Sequence, residues 1–562
     1  MQNKTSLLNG AALGVIILSA ISVDAQAKPS RHYRARPVAA TGNDPSPLEE
    51  LRAEVESLKA WRDGQIDRQA QADAQLNQVK TELAQSQDRT RVAEAKVAAQ
   101  IETIPGAVKA EVAKIAPKTD KLYVKGVSIQ LGGFLEASSV YRSKNLDSDI
   151  ATNFNAIPYG ANAVGHTNET RFSARHSRIS ALIQGDVSKT VHLSGYGELD
   201  FLGAAQTANS NQTNSYNPRI RHMYLNIDWD EALAPGWGLH LLAGQTWSLA
   251  TMNTKGITPR NELQPSVIDP QYVPGYVFTR QPQFRLTADY KKQFWIAVSA
   301  ENPQTTFFSS GKYESGVNNV LLQGPAGSGF NSANTLSLNH IPDFVGKVAA
   351  EETIQGHSLH LEAFGILRSF YDRVDILGVI KNHDTIGGGF GGGFVFNLIP
   401  KRVDIQGSAI VGKGIGRYGA SALPDVTVDV DGGLHPIHEW AALIGGTVHA
   451  TPKLDLYAFG GEERASSQSF SDPTAKVQNG YGNLAYDNSG CDIERSTVCV
   501  GNTRYVEQFT AGFIHRPYQG AFGRIQWGVQ YSYTERHAFA GVGGAPVAKE
   551  NMIFTTIRYY PF

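Results

Sequence analysis

Residues 524–533 read RIQWGVQYSY, and along this stretch apolar side chains alternate one by one with polar or small ones. Successive side chains of a β-strand point to opposite sides, so the apolar members share one face of an extended chain. They are Ile525, Trp527, Val529, Tyr531 and Tyr533. Arginine, glutamine, glycine and serine occupy the other face. The stretch predicts a strand with one apolar and one polar surface.

The same alternation recurs from about Leu122 to Phe562, for example in 127–136, 190–201 and 453–458. Each run has about 10 residues, the length of a strand that crosses a membrane at a tilt. The pattern therefore predicts an all-β transmembrane β-barrel over 122–562. At about 50 residues for each hairpin with one short turn and one long loop, this length gives about 16–18 antiparallel strands, and about 16 is the predicted number. A barrel of that size encloses an aqueous lumen.

A soluble β-sandwich would show similar alternation, and aromatic residues near strand ends favour the membrane barrel. Such residues form girdles at the two membrane interfaces of a barrel. The predicted girdle residues are Tyr141, Trp229, Trp247, Tyr290, Tyr533 and Tyr559.

The amino terminus has the pattern of an export signal. Lys4 precedes an apolar run that ends in the small-residue exit DAQA at 24–27, which predicts a signal peptide over 1–27. The apolar run is too short for a membrane anchor helix, the alternative reading. Residues 28–47 are basic and proline-rich and are expected to form a flexible leader.

Heptad spacing follows the leader. Most positions reached by alternate steps of three and four from Leu48 to Val97 are apolar, which predicts an α-helical coiled coil over 48–104. A solitary amphipathic helix is the alternative. Pro105 and Pro117 end the helical pattern, so 105–121 is predicted to be a hinge.

Cys491 and Cys499 lie in a polar segment rich in glycine and asparagine. For an exported chain, a disulfide closing this short loop is the favoured interpretation, and two free thiols are the alternative.

Arginines recur on the predicted strands, where guanidinium groups facing a lumen would favour carboxylate and phosphate solutes. The pore-lining candidates are Arg171, Arg175, Arg178, Arg219, Arg221, Arg280 and Arg285. The alternatives are that they pair with lumen acids or face lipopolysaccharide outside. The acids considered are Glu136, Glu198, Asp200 and Asp228.

Nothing in the sequence predicts catalysis, a metal site or a cofactor. No GxSxG or HExxH motif occurs, and the net charge of −1 gives no basic excess for nucleic acid. Residues 387–394, GGGFGGGF, lack the lysine and hydroxyl of a phosphate loop and are better explained as strand glycines. His435, His438 and Glu439 resemble a ligand cluster but have no supporting pattern.

Several phrases in order resemble the DcaP-like family of trimeric outer-membrane porins. They include GGFLEASSVYR, IRHMYLNI, LLAGQTWSLA, RQPQFRLT, IPDFVGKV, GKGIGRY, HRPYQGAFGRIQWGVQYSYTER and the ending RYYPF. The resemblance implies a 16-stranded barrel in a homotrimer, a periplasmic coiled coil, and passage of small, often negatively charged organic solutes. It places Arg219, Arg221, Arg280 and Arg285 in matching phrases as candidate pore charges.

The sequence therefore predicts a non-enzymatic porin of the bacterial outer membrane, with its coil in the periplasm. Expected partners are two further copies of the chain, outer-membrane lipid and lipopolysaccharide, the barrel-insertion machinery and, as a candidate, peptidoglycan. A structural tether or surface adhesin whose coil contacts the cell wall is the alternative function.

The final strand is expected to close the barrel against the first one near Val127. In its sequence MIFTTIRYYPF, Met552, Phe554, Tyr560 and Phe562 share one face. Tyr560 and Phe562 are the predicted insertion signal, since an aromatic terminus resembles that of other outer-membrane barrels.

Overall fold

A computed structural model describes residues 47–102, 121–203, 217–324, 335–474 and 476–562. The chain divides into two compact units, Met1–Ala116 and Pro117–Phe562. The predicted signal peptide lies outside the described residues, as do the leader and the hinge apart from one terminal residue each.

The described part of the first unit is a single helix, α1 (Pro47–Glu102). Apolar side chains at heptad positions of α1 are exposed, among them Leu51, Leu58, Leu76 and Val79. The coiled coil itself stays a prediction. Among the described residues, no helix combines the length and the hydropathy needed to cross a membrane.

Within its described residues, the second unit contains 24 strands. In chain order they are β1 (Leu122–Val124), β2 (Val127–Arg142), β3 (Glu169–Ser173), β4 (Arg178–Asp186), β5 (Val191–Gly203), β6 (Asn217–Trp229), β7 (Trp237–Trp247), β8 (Arg280–Tyr290), β9 (Phe294–Glu301), β10 (Phe307–Phe308), β11 (Val317–Leu321), β12 (Asp343–Ile354), β13 (His357–Ile376), β14 (Val379–Ile399), β15 (Val403–Lys413), β16 (Val426–Val428), β17 (Leu434–Pro436), β18 (His438–Thr451), β19 (Leu454–Ala465), β20 (Gln468–Asp472), β21 (Val477–Tyr481), β22 (Thr503–Gly520), β23 (Gly523–Ala538) and β24 (Val547–Tyr560). Short 3₁₀ helices lie at Phe154–Ala156, Ala163–His166 and Gly416–Tyr418.

The strands form a closed antiparallel barrel. β3 and β4 act as one interrupted strand, because both pair with β2. From there the ring runs through β5, β6, β7, β8, β9, β12, β13, β14, β15, β18, β19, β22, β23 and β24. β24 then pairs with β2, which closes a ring of 16 strand positions in the described part of the chain. The predicted strand number is confirmed.

The closure differs in one detail from the prediction. β24 pairs with Leu135–Arg142, in the second half of β2, rather than near Val127. Strands in a barrel tilt, and the hydrogen-bond register must shift around the ring, so the last strand meets the first at a staggered position.

The outer wall is apolar and the inner wall polar. Side chains such as Phe284, Ile296, Val348, Phe390 and Ile557 are exposed on the outside. A continuous exposed apolar surface of this kind is typical of a membrane protein.

One aromatic assignment changes. Trp247 is only 1% exposed, since the loop that follows folds back over it and brings Phe278 within 5.6 Å of its ring. It is therefore not a girdle residue. Met552 and Phe554 share one face of β24, as predicted. That face is the buried lumen side, whereas Ile553 and Ile557 form the outward face.

Short turns join the strands at one end of the barrel, and long loops join most of them at the other. The long loops carry a small sheet of β10, β16 and β17, and a hairpin of β20 and β21. Cys491 and Cys499 form a disulfide in the loop between β21 and β22.

The glycine-rich segment 387–394 lies within β14, as expected for strand glycines. A Cβ atom on Gly391 would lie 2.5 Å from the Phe364 ring, and one on Gly393 would lie 2.9 Å from Met252 Sδ. The missing side chains leave room for the loop that contains Met252.

Candidate functional site

The segment 248–279 between β7 and β8, here called the inward loop, folds into the barrel. It bonds to three well-separated strands of the ring. Lys347 Nζ on β12 donates to Thr251 O at 2.6 Å, and Ile268 N donates to Gln530 Oε1 on β23 at 2.6 Å. Gly275 N donates to Glu463 Oε1 on β19 at 2.7 Å. The inward loop therefore crosses the lumen and narrows it.

Apolar packing holds the inward loop in place. Its residues Ile268, Tyr272, Val273 and Tyr276 belong to a buried cluster with inner-wall side chains. The wall members include Val140, Tyr457, Phe459, Val506, Met552 and Phe554. Burying several large apolar side chains contributes about 1.5 to 3 kcal/mol each, so the inward loop is fixed by packing as well as by hydrogen bonds.

A cavity of about 360 Å³ lies between the inward loop and the wall formed by β2, β4, β22, β23 and β24. The wall supplies most of its charge. Its cationic lining residues are Arg178, Arg516, Arg524 and Arg558. The inward loop supplies Asp269, together with Gln264, Pro265, Ser266, Val267 and Tyr272. We call this space the arginine cavity.

Three of these arginines have carboxylate partners. Arg516 Nη2 lies 2.6 Å from Asp455, Arg558 Nε lies 2.9 Å from Glu136, and Arg178 Nη1 lies 3.7 Å from Glu198.

Arg524 differs. Among the described residues it has no carboxylate within 4 Å, and its buried Nε has no hydrogen-bond partner. Its guanidinium lies 4.1 Å from the centre of the Tyr560 ring. It is the uncompensated positive charge of the arginine cavity.

A second arginine group lies near the end of β7. Arg221 bonds to both Glu198 and Asp200, at 2.6 and 3.1 Å, while Arg219 makes two bonds to Asp200. Arg280 packs 5.1 Å from the centre of the Trp247 ring, and its Nη1 is buried without a described partner.

The other predicted pore residues have varied surroundings. Arg285 is buried and donates to Gln283 Oε1 and Trp247 O. Arg171 pairs with Glu169 and Asp147, and Arg175 pairs with Asp149. Carboxylates thus lie within 4 Å of five of the seven candidates, namely Arg171, Arg175, Arg178, Arg219 and Arg221.

Two of the acids considered have other partners. Glu136 pairs with Arg558, and Asp228 pairs with His240.

The electrostatic environment of the inward loop is positive near Tyr272. Burial alone would raise the pKa of its hydroxyl, but Arg221, Arg280 and Arg178 together lower that pKa below its usual value. Nearby cations stabilise the ionised form of an acidic group. The surroundings of Tyr272 thus favour negative charge.

The arginine cavity contains residues that the sequence reasoning did not select. Of the seven predicted arginines, only Arg178 lines it. Arg516, Arg524 and Arg558 lie in HRPYQGAFGRIQW and RYYPF, phrases that carried the family resemblance. A usable signal was present for Arg524, which alternates with Ile525 and therefore belongs to the polar face.

Side chains that could bind a metal form few clusters among the described residues. Of the cluster His435, His438 and Glu439, His435 pairs with Asp429 instead, with its Nε2 lying 2.8 Å from Asp429 Oδ2. Elsewhere among the described residues, Glu507, Glu535 and His537 gather on the outer wall. Glu535 is already paired with Lys549 at 3.0 Å.

Comparison with solved structures shows what this chain is similar to. The crystal structure of the outer membrane channel DcaP of Acinetobacter baumannii matches with a TM-score of 0.53 and 19% identity, covering 78% of this chain and 99% of that chain. This confirms the resemblance to the DcaP-like family at the level of the fold.

OprB of Pseudomonas putida matches with a TM-score of 0.44 and 9% identity, over 81% of this chain and 96% of the other. The anion-selective porin of Comamonas acidovorans has a TM-score of 0.38 and 10% identity, over 78% and 99%. These similarities are too low to support an argument. No family model matches the chain. No curated protein matches it.

Proposed function

We propose that this chain is an outer-membrane porin of the DcaP-like type, through which small hydrophilic solutes diffuse passively with a preference for anions. The observation that carries the proposal is a closed 16-stranded barrel whose lumen is narrowed by an inward loop beside an arginine-lined cavity. The apolar outer wall suits the bilayer, and the polar inner wall suits a water-filled path.

The preference for anions follows from the charges that lack partners. Among the described residues, no carboxylate lies within 4 Å of Arg280, Arg285 or Arg524. An arginine paired with an acid adds little net field, whereas an unpaired one attracts anions into a narrow path. These three arginines are therefore the residues to which we assign the preference for anions.

We also propose a homotrimer joined through α1. Exposed leucines and valines at heptad spacing, such as Leu51, Val55, Leu76 and Leu83, would be covered if three copies formed a coiled coil. The resemblance to the DcaP-like porins implies that this coiled coil lies in the periplasm.

The first test is conductance in planar bilayers. Purified protein should give ohmic steps, usually in groups of three, and a reversal potential in a KCl gradient that indicates anion preference. Folded protein that gives no steps would contradict the porin proposal. Steps with cation preference would contradict the role of the arginines.

Substitutions test which arginines produce the preference for anions. Arg280→Gln combined with Arg524→Gln should lower the chloride-to-potassium permeability ratio by about two- to fivefold, the range expected for charges in a hydrated site. Arg171→Gln is the control, because Arg171 is partly exposed and pairs with Glu169, whereas Arg280 and Arg524 have no carboxylate within 4 Å among the described residues. An equal change in the permeability ratio of both variants would contradict the assignment of the anion preference to Arg280 and Arg524.

The trimer has its own test. Leu76→Asp with Leu83→Asp should reduce the trimer fraction in cross-linking, because charge at core heptad positions opposes helix association. Thr81→Asp, on the opposite face of α1, is the control. Unchanged trimers in the double variant would argue against α1 as the contact.

A further inference from the structure

The arginine cavity is lined by charges of both signs that come from different parts of the fold. Its arginines belong to barrel strands, whereas Asp269 belongs to the inward loop. Most of these charges already have partners. Only the charges without a partner remain available to a solute.

On the positive side, Arg524 is available. Arg516 and Arg558 have short ion pairs with Asp455 and Glu136, so their charges are largely compensated. Arg524 rests on the Tyr560 ring with no carboxylate partner among the described residues. A guanidinium held by an aromatic ring keeps its edge free to bind a carboxylate in two-pronged fashion.

On the negative side, Asp269 is available. It is 2% exposed, and its Oδ1 accepts hydrogen bonds from Thr152 N at 3.2 Å and Gln271 N at 2.9 Å. Its Oδ2 has no partner in the described part of the chain. A buried carboxylate oxygen without a donor is unfavourable by about 1 to 3 kcal/mol or more, so a cationic donor at this position would be stabilised.

These two groups suit one class of solute. We propose that the arginine cavity binds zwitterionic solutes of the α-amino acid class, with the carboxylate at Arg524 and the ammonium group at Asp269. This proposal rests on the porin function, and it adds a requirement for a positive group that a simple anion would not meet. The volume of about 360 Å³ leaves room for a small amino acid and water.

The burial of Asp269 disfavours its ionised form. Burial raises the pKa of this carboxyl group, and the hydrogen bonds to Thr152 and Gln271 and the charge of Arg142 only partly oppose the effect. A bound ammonium group would favour the ionised form and lower that pKa.

The test compares glutamate with glutarate, which share a carbon skeleton and differ by the ammonium group. Their uptake is measured in liposomes that contain the full-length protein, together with the chloride-to-potassium permeability ratio of the same preparation. Asp269→Asn should lower the glutamate-to-glutarate uptake ratio by at least about threefold, because glutarate lacks the ammonium group that Asp269 would bind. Asparagine retains Oδ1 as acceptor for Thr152 and Gln271, so the loop contacts persist.

Glu262→Gln is the matched control. Glu262 is a half-buried residue of the same inward loop whose Oε1 is buried without a partner among the described residues, but it does not line the arginine cavity. It should leave the uptake ratio unchanged. Arg524→Gln should reduce uptake of both solutes, since both contain carboxylates.

The outcomes separate the two proposals. Absence of conductance in the parent protein would overturn the porin function itself. Anion-preferring conductance with an uptake ratio unaffected by Asp269→Asn, or equally affected by Glu262→Gln, would overturn the zwitterion proposal and leave the porin function standing.

Discussion

Two arginines of the inner wall, Arg368 and Arg524, show how differently the barrel treats the same side chain. Arg368 is fully buried, and all three of its nitrogen atoms donate hydrogen bonds. It pairs with Asp343 at 3.1 Å and Asp425 at 2.7 Å, and it also bonds to the carbonyls of Gly414 and Gln304. Arg524 lines a cavity and has no carboxylate partner among the described residues.

The two arginines differ in whether carboxylates of the fold neutralise their charge. Arg368 connects β12, β13 and the loop before β16, so its charge is consumed in joining parts of the barrel wall. Arg524 joins nothing by an ion pair and leaves its charge to the lumen. The same residue type is therefore neutralised by carboxylates in one place and left without a carboxylate partner in another.

The largest expected effect is the loss of Arg368. Arg368→Met leaves Asp343 and Asp425 buried without their main cation, which should lower the free energy of unfolding by about 3 to 5 kcal/mol. Urea unfolding in detergent, followed by tryptophan fluorescence, measures this. Arg524→Met is the matched control and should stay within about 0.5 kcal/mol of the parent. Equal losses of unfolding free energy in both variants would contradict the distinction drawn between Arg368 and Arg524.

A smaller effect is expected where a buried charge holds the inward loop. Lys347 Nζ lies 2.6 Å from Glu362 Oε2 and also donates to Thr251 O. Lys347→Met should destabilise the barrel by about 2 kcal/mol, since bonds to charged groups contribute about 1.5 to 3 kcal/mol. Lys549→Met is the control, because Lys549 pairs on the exposed outer wall.

In single-channel records, Lys347→Met should also increase current noise, as one anchor of the inward loop is lost. A quiet channel of parent conductance would show that the remaining contacts suffice to hold the loop.

A carboxylate introduced beside Arg524 should neutralise its charge and make this arginine resemble Arg368. Gln526 follows Arg524 by two residues, so both face the lumen, and both line the arginine cavity. Gln526→Glu should reduce the chloride-to-potassium permeability ratio by about twofold with little change in stability. Asn551→Asp, which adds a charge on the outward face of β24, should leave the ratio unaltered.

The smallest effect on transport is expected from the disulfide. Replacing Cys491 and Cys499 by serine should destabilise the loop between β21 and β22 by about 2 to 3 kcal/mol, the loop restraint expected for a short ring. Limited proteolysis of that loop measures the change. Conductance and ion preference should remain at parent values, because the arginine cavity lies elsewhere in the barrel.

Much of the fold was predictable because alternation is local. In β23 and β24 every second residue faces the lumen, and that pattern can be read from neighbouring letters alone. It failed at Trp247, where the strand ends and the inward loop covers the ring. The inward loop itself carries no periodic signal, and its anchors, such as Gln530 for Ile268, are far away in sequence.

The site was less predictable than the fold. Alternation placed Arg524 and Arg221 on polar faces, but it could not say which of them has a partner. Arg221 meets Glu198 and Asp200 across a pair of strands, and Arg558 meets Glu136 only because the last strand closes on the first.

By itself, the sequence determined a barrel of about 16 strands with an apolar exterior and a charged lumen, because period-two alternation depends only on adjacent residues. The tertiary structure alone decided which charges are free. Ion pairs form between atoms a few ångströms apart in space, whatever their separation along the chain. Closure of the ring and the path of the inward loop bring Glu136 to Arg558 and leave Arg524 and Asp269 facing one cavity.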